Sequence, residues 1–144
     1  MPSREFPGTV EAAAEAEEWI AGETGALGLA GDATFAINLC VEELFLNAVK
    51  HGRAKRATIS IWTEPGGLRL EFVDDGRAFD PTVAPVKRLH GHGTDFEIGG
   101  FGTGLVRKFT RRMTYHRADG ANRLILEFDS GSSDNTGSAA FPSE

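Results

Sequence analysis

The stretch from Asp32 to His51 restricts the fold more than any other part of this chain, because apolar residues occupy almost every side of the helix it predicts. Phe35, Ile37, Leu39, Val41, Leu44, Phe45, Leu46 and Val49 leave little room for a solvent face, so this helix is expected to be buried. Asp32 is of the residue type that caps a helix start, and Gly52 stands where a left-handed residue would end it. Yet Glu43 and Asn47 interrupt the apolar run four residues apart, stacked on one helical face, with Lys50 and His51 on the next turn. A carboxylate and an amide placed there cost roughly a few kcal/mol unless polar partners or a ligand satisfy them. The stripe is therefore expected to face a polar neighbour or a ligand cavity.

Such a helix needs other elements to cover it, and 144 residues suffice for one domain with one core. Residues 3–6 read as a short edge strand, and Thr9 or Gly8 caps a helix running to about Ala26, with Gly28 as its stop. Ala57–Thr63 and Leu68–Asp74 carry strand patterning, and Pro65-Gly66-Gly67 between them predicts an antiparallel hairpin. From Asp75 to Gly100, Pro and Gly punctuate a connection far longer than usual, which marks a functional loop. Helical spacing returns over Phe101–Met113, followed by a strand near Tyr115, an Asp119-Gly120 turn and a strand over Asn122–Phe128. The expected fold class is α+β, a two-layer sandwich with helices on one face of a mixed or antiparallel sheet. Residues 1–128 would form the domain, and 129–144 a disordered tail of linker composition.

Charge and cysteine content narrow the function classes. A net charge of -6 argues against a nucleic-acid or anionic-membrane partner. Arg107, Lys108, Arg111 and Arg112 would form a basic face on the last helix, read as a solvated surface or a docking face for an acidic protein. Cys40 stands alone among apolar neighbours as a buried thiol. No stretch approaches the ~18 apolar residues of a membrane span and the N-terminus has no apolar signal core, so the expected location is the cytoplasm.

Two further clusters carry chemistry. Strand Leu68–Val73 runs into Asp74-Asp75-Gly76, where a strand-end carboxylate can point into a cleft while glycine lets the backbone turn beside it. Gly99-Gly100-Phe101-Gly102-Thr103-Gly104 leads into a helix and can present N–H groups to phosphate. It is no Walker loop, since G-x-x-x-x-G-K-[ST] is absent, and the dinucleotide spacing fails at Leu105.

In this order the three clusters resemble the N, G1 and G2 boxes of the Bergerat ATP-binding fold shared by DNA gyrase, histidine kinases and MutL. Glu43-x-x-x-Asn47-Ala48-x-x-His51-Gly52 resembles the first, Asp74-x-Gly76-x-Ala78-Phe79-Asp80-Pro81 the second, and Gly99-Gly100-x-Gly102-x-x-Leu105-Val106 the third. The ending Tyr115-x-Arg117-x-x-Gly120-x-Asn122-x-Leu124 is most similar to the anti-sigma-factor serine/threonine kinases of the RsbW type. The resemblance implies that Asn47 coordinates Mg²⁺ on the ATP phosphates and that Glu43 activates the nucleophile. It implies further that Asp74 accepts from the adenine amine, with Gly76 allowing close approach of the base and His51, Ala78 and Phe79 nearby. Pro81 to Ile98 would be the ATP lid, contributing Gly93 and Thr94, and Gly100, Gly102, Thr103 and Leu105 would lie on the phosphates. Gly104 departs from the bulkier residue usual there, which would loosen the helix start by up to ~1 kcal/mol.

The partners implied are an anti-anti-sigma protein of the STAS fold, phosphorylated on Ser or Thr, and a sigma factor. Homodimerisation is a further implication. The competing expectation is an ATP-binding partner-switch module that sequesters a protein without transferring phosphate.

Overall fold

The computed structural model describes residues 1–29, 31–82 and 106–129. In chain order it contains β1 (Ser3–Pro7), α1 (Val10–Ala26), α2 (Gly31–Lys50), β2 (Arg56–Glu64), β3 (Gly67–Asp74), β4 (Arg112–Ala118) and β5 (Ala121–Asp129). The strands form one sheet in the order β1-β2-β3-β5-β4, every pair antiparallel, which resolves the mixed-or-antiparallel alternative. This is the expected α+β sandwich.

Local chemistry accounts for most boundaries. The Thr9 hydroxyl accepts the Ala12 N–H, capping α1, and Gly28 at φ 75° follows its end. Gly66 at φ 87° closes the β2–β3 hairpin behind Pro65. Asp119 (φ 52°) and Gly120 (φ 76°) both turn left-handed between β4 and β5, the backbone that a tight hairpin requires.

The sheet is two-sided in chemistry. Ile59, Ile61, Leu68, Leu70, Phe72, Leu124, Leu126 and Phe128 are buried in the core shared with α1 and α2, as period-two alternation demands. Alternate residues on the other face carry charge, with Arg69, Arg111 and Arg112 around Glu127 and Arg123 on Glu71. From the helical layer, Phe45 meets both Phe6 of β1 and Phe72 of β3 edge-on, with ring centroids 6.1 and 6.0 Å away.

Four expectations are corrected. Helix α2 is covered on one side only: Phe35 is 65% exposed, and Leu39, Leu46 and Val49 are half-buried. Asp32 lies inside the first turn, because α2 starts at Gly31; there its carboxylate favours the positive helix end without capping it. At the other end the left-handed residue is Arg53 (φ 58°), one later than expected. What requires glycine at 52 is space, since a Cβ there would stand 2.8 Å from the Ala48 carbonyl oxygen.

The fourth concerns the helix expected over Phe101–Met113. Its described part, Val106–Phe109, stops well short, because the Thr110 hydroxyl bonds back to the Val106 carbonyl and the Arg111 N–H is taken by the Glu127 carbonyl of β5. Met113 belongs to β4. The basic helix face consequently does not exist: Arg111 reaches Asp129 and Glu127, and Arg112 lies on the sheet 4.0 Å from Glu127. Cys40 is buried as expected, and burial pushes its thiol up to about 12. Among the described residues no helix is long and apolar enough to cross a membrane. The glycine-rich segment 99–104 and the long loop from residue 83 onward lie outside the described residues, as does 130–144.

Candidate active site

Each end of the β3–turn segment is fastened to a neighbouring element. Asp75 accepts the Lys55 and Arg56 N–H groups at 2.7 and 3.1 Å, which holds its carboxyl below the usual range although desolvation pulls the other way. The Arg77 N–H donates to the Gly52 carbonyl at 2.9 Å, so the turn after β3 sits directly on the end of α2. Gly76 makes this possible: a Cβ would stand 2.8 Å from the Gly52 oxygen and 3.0 Å from Asp74 Oδ1. Gly76→Ala should therefore lower stability by about 1–3 kcal/mol through forced separation of the turn from α2, read as a shift in the urea midpoint at constant slope. An unchanged midpoint would show that the contact is slack.

Asp74 ends β3 on the core side of the sheet and is 8% exposed. Its Oδ1 accepts the Gly76 N–H at 2.8 Å and Asn122 Nδ2 at 3.1 Å. Both bonds fall on the same oxygen, which leaves Oδ2 as the acceptor for an incoming donor. Burial pushes the carboxyl above its ordinary 3.8, against the Gly76 and Asn122 hydrogen bonds and the Arg117 charge, while Asp75 adds to the rise.

On α2, Glu43 and Asn47 are half-buried on one flank of the apolar stripe. The other flank carries Glu42, which adds to the rise that burial gives the Glu17 carboxyl of α1. Glu43 itself is raised by burial first and by Glu42 second, with Lys50 pulling it down. Asn47 sits five residues before Gly52, about 7.5 Å along the axis, and Glu43 about 13.5 Å, so the carboxylate of β3, the amide and the second carboxylate follow one another along the helix. His51 is exposed just past α2, its N–H on the Asn47 carbonyl. Ala78 and Phe79 are exposed after the turn, with Phe79 at 45%.

Of the expected site residues, His51, Asp74, Gly76, Ala78 and Phe79 lie just past the end of α2 or at the end of β3 and the turn after it, while Asn47 and Glu43 lie further back along α2. Gly93, Thr94, Gly100, Gly102, Thr103 and Leu105 lie outside the described residues. Just beside that segment, Arg107 Nη2 donates to the Pro81 carbonyl at 2.8 Å, tying Val106–Phe109 to the start of the long loop.

Three residues to which the sequence pattern assigns no role, Asn122, Arg117 and Tyr115, join the site. Asn122 stands opposite Asp74 in register, and Arg117 opposite Asn122, so Ala57, Asp74, Asn122 and Arg117 form one row across four strands. The Tyr115 hydroxyl reaches Asn122 Oδ1 at 2.6 Å. The signal available in sequence was an amide at an inward position of an otherwise apolar strand, Asn122-x-Leu124-x-Leu126-x-Phe128.

The donor set suits a purine nucleotide and a hard cation. Asp74 presents one acceptor with no partner among the described residues at a buried strand end, and the Asn47 amide supplies a neutral oxygen of the kind that Mg²⁺ accepts beside phosphate and water. Among the described residues no three His, Cys, Asp or Glu converge as a metal cage, so the phosphates would have to share in holding any cation.

Comparison with known proteins identifies the family. Residues 6–128 match the histidine kinase-like ATPase domain. The chain is 32% identical over 96 residues to the serine/threonine-protein kinase BtrW of Bordetella bronchiseptica, covering 64% of this chain and 68% of that protein. Among solved structures, the histidine kinase domain of the Erythrobacter litoralis EL346 blue-light activated histidine kinase aligns with a TM-score of 0.48 at 17% identity. That alignment covers 86% of this chain and 61% of the other, so the chain spans about three fifths of that protein's length. Since the matched region runs from β1 into β5 through every described element, the chain belongs to the histidine kinase-like ATPase domain family and its nucleotide is ATP.

Proposed function

We propose that this domain is an ATP-dependent serine/threonine kinase that phosphorylates a STAS-fold anti-anti-sigma protein and thereby controls sequestration of a sigma factor in the cytoplasm. The observation that carries the reading is the order of groups along α2. The Asp74 carboxylate, beside the turn whose Arg77 N–H bonds to the Gly52 carbonyl, the Asn47 amide one turn earlier and the Glu43 carboxylate a further turn back suit the succession of base, phosphates and acceptor hydroxyl. The similarity to a protein named serine/threonine kinase supports the same chemistry.

Asp74 Oδ2 would accept from the adenine amine, and Gly76 would keep the backbone low enough for the base to approach. Asn47 would hold Mg²⁺, which when bound neutralises charge on the transferring phosphoryl group. Glu43 would accept the proton of the serine or threonine hydroxyl as the oxygen forms its bond to the γ-phosphorus. The bond from that phosphorus to the β–γ bridging oxygen breaks, and ADP leaves with the electron pair. A carboxylate raised by burial is a better base than one in water, and it stays useful as long as it is ionised at working pH.

Incubation with γ-labelled ATP and a pool of STAS-domain proteins from one bacterium tests the reading. Transfer of label to a Ser or Thr of one acceptor is expected. Absence of a labelled acceptor at saturating Mg-ATP would contradict it and favour a module that binds ATP and partner without transfer.

A further inference from the structure

Asn122 is where the polar contacts of this site converge. It is 7% exposed, on the core face of β5. Its Nδ2 donates to Asp74 Oδ1 at 3.1 Å and to the Arg77 carbonyl at 2.7 Å. Its Oδ1 accepts from the Tyr115 hydroxyl at 2.6 Å, from Arg117 Nη1 at 3.1 Å and from the Phe79 N–H at 3.4 Å. Acceptors surround the nitrogen and donors surround the oxygen, so the amide has one satisfactory orientation. Arg117 extends the hold by donating to the Gly76 carbonyl at 2.8 Å.

One side chain thus fastens three positions of the segment leaving β3: Asp74, Arg77 and Phe79. It also determines which oxygen of Asp74 is spoken for. With Oδ1 filled by Gly76 and Asn122, Oδ2 is left among the described residues as a pure acceptor of fixed direction. A purine carrying a 6-amino group offers a donor to it, whereas a 6-oxo purine sets one acceptor against another, a mismatch that costs more than a missing contact.

We infer that Asn122, braced from the edge strand by Tyr115 and Arg117, is the positioning residue that sets the base selectivity of this site, by holding Asp74 as a one-sided acceptor. The assignment rests on Asp74 being the base-binding carboxylate.

Titration calorimetry of the full chain with Mg-ATP and with Mg-ITP tests it, on wild type, Asn122→Asp and Tyr115→Phe. Asn122→Asp preserves size and keeps an acceptor toward Tyr115, Arg117 and Phe79, but puts an acceptor where Asp74 needs a donor. The two carboxyls must then share a proton or move apart, and either result spoils the lone acceptor. Wild type should prefer ATP over ITP by roughly tenfold or more, Asn122→Asp should lose most of that ratio, and Tyr115→Phe should lose about threefold of it.

A merely structural role would weaken both nucleotides together, so an unchanged ATP-to-ITP ratio in Asn122→Asp overturns the assignment. If Asn122→Asp does not fold, an unchanged ratio in Tyr115→Phe overturns it instead. A wild type with no preference between the two nucleotides overturns the base-binding reading of Asp74, and this assignment with it. Those outcomes are distinct, because the last is read on the wild type alone.

Discussion

Glu43→Gln is expected to bind Mg-ATP within a few-fold of wild type and to transfer phosphate about 10²–10⁴ times more slowly, the range general-base catalysis supplies. The substitution keeps the shape and hydrogen-bonding length of the side chain on α2, so the helix and the neighbouring Asn47 have no reason to move. What it removes is the capacity to take a proton. The same role fixes a pH dependence. Burial and Glu42 raise this carboxyl above its ordinary 4.5, so the acid limb of the wild-type rate should fall at a higher pH than that of an exposed glutamate, and should vanish from the residual rate of Glu43→Gln. Single-turnover transfer from labelled ATP, measured from pH 5 to pH 8 (a range centred near roughly 6.5), reads both effects. A variant rate equal to wild type would remove Glu43 from the chemistry and leave the binding site standing.

The second large effect is on stability. Phe45 is fully buried and joins three elements, since its ring contacts Phe6 from β1 and Phe72 from β3 across the α2–sheet interface. Truncation to alanine removes the apolar burial, both edge-on ring contacts and the filling of the space between layers, a combined loss of about 3–5 kcal/mol. A domain of this size has only about 5–15 kcal/mol to lose, so Phe45→Ala should unfold at far lower denaturant or not fold at 37 °C. The control lies ten residues earlier on the same helix. Phe35 is 65% exposed, and Phe35→Ser should stay within about 0.5–1 kcal/mol of wild type. Comparable losses from the two substitutions would mean that the described core is not what stabilises the chain.

These expectations also show which parts of the molecule could be read from residues in a row. Elements whose cause lies within a few residues were legible: the Thr9 cap, the Pro65-Gly66 hairpin, the left-handed pair Asp119-Gly120, and the shared helical face of Glu43 and Asn47. Boundaries decided by a distant partner were not. Nothing local to Arg111 announces that its N–H will be taken by Glu127 of β5, which ends the helical pattern early and turns Arg112 and Met113 into strand. The same limit hid Asn122. Its partner Asp74 is forty-eight residues away in sequence, and only the β3–β5 register sets them face to face. Phe35 is exposed against expectation because an apolar residue on a helix carries no mark of which flank the core will cover.

Whether Asp74 grips the base of an ATP molecule lying along α2 is read by Mg-ATP calorimetry on wild type and Asp74→Asn. The amide keeps the acceptor used by Gly76 but can turn N–H groups toward the adenine amine, donor against donor. Clear binding to wild type is expected, with an affinity loss of roughly ten- to a hundredfold in Asp74→Asn at unchanged thermal stability of the fold. Equal affinities for the two proteins would contradict it.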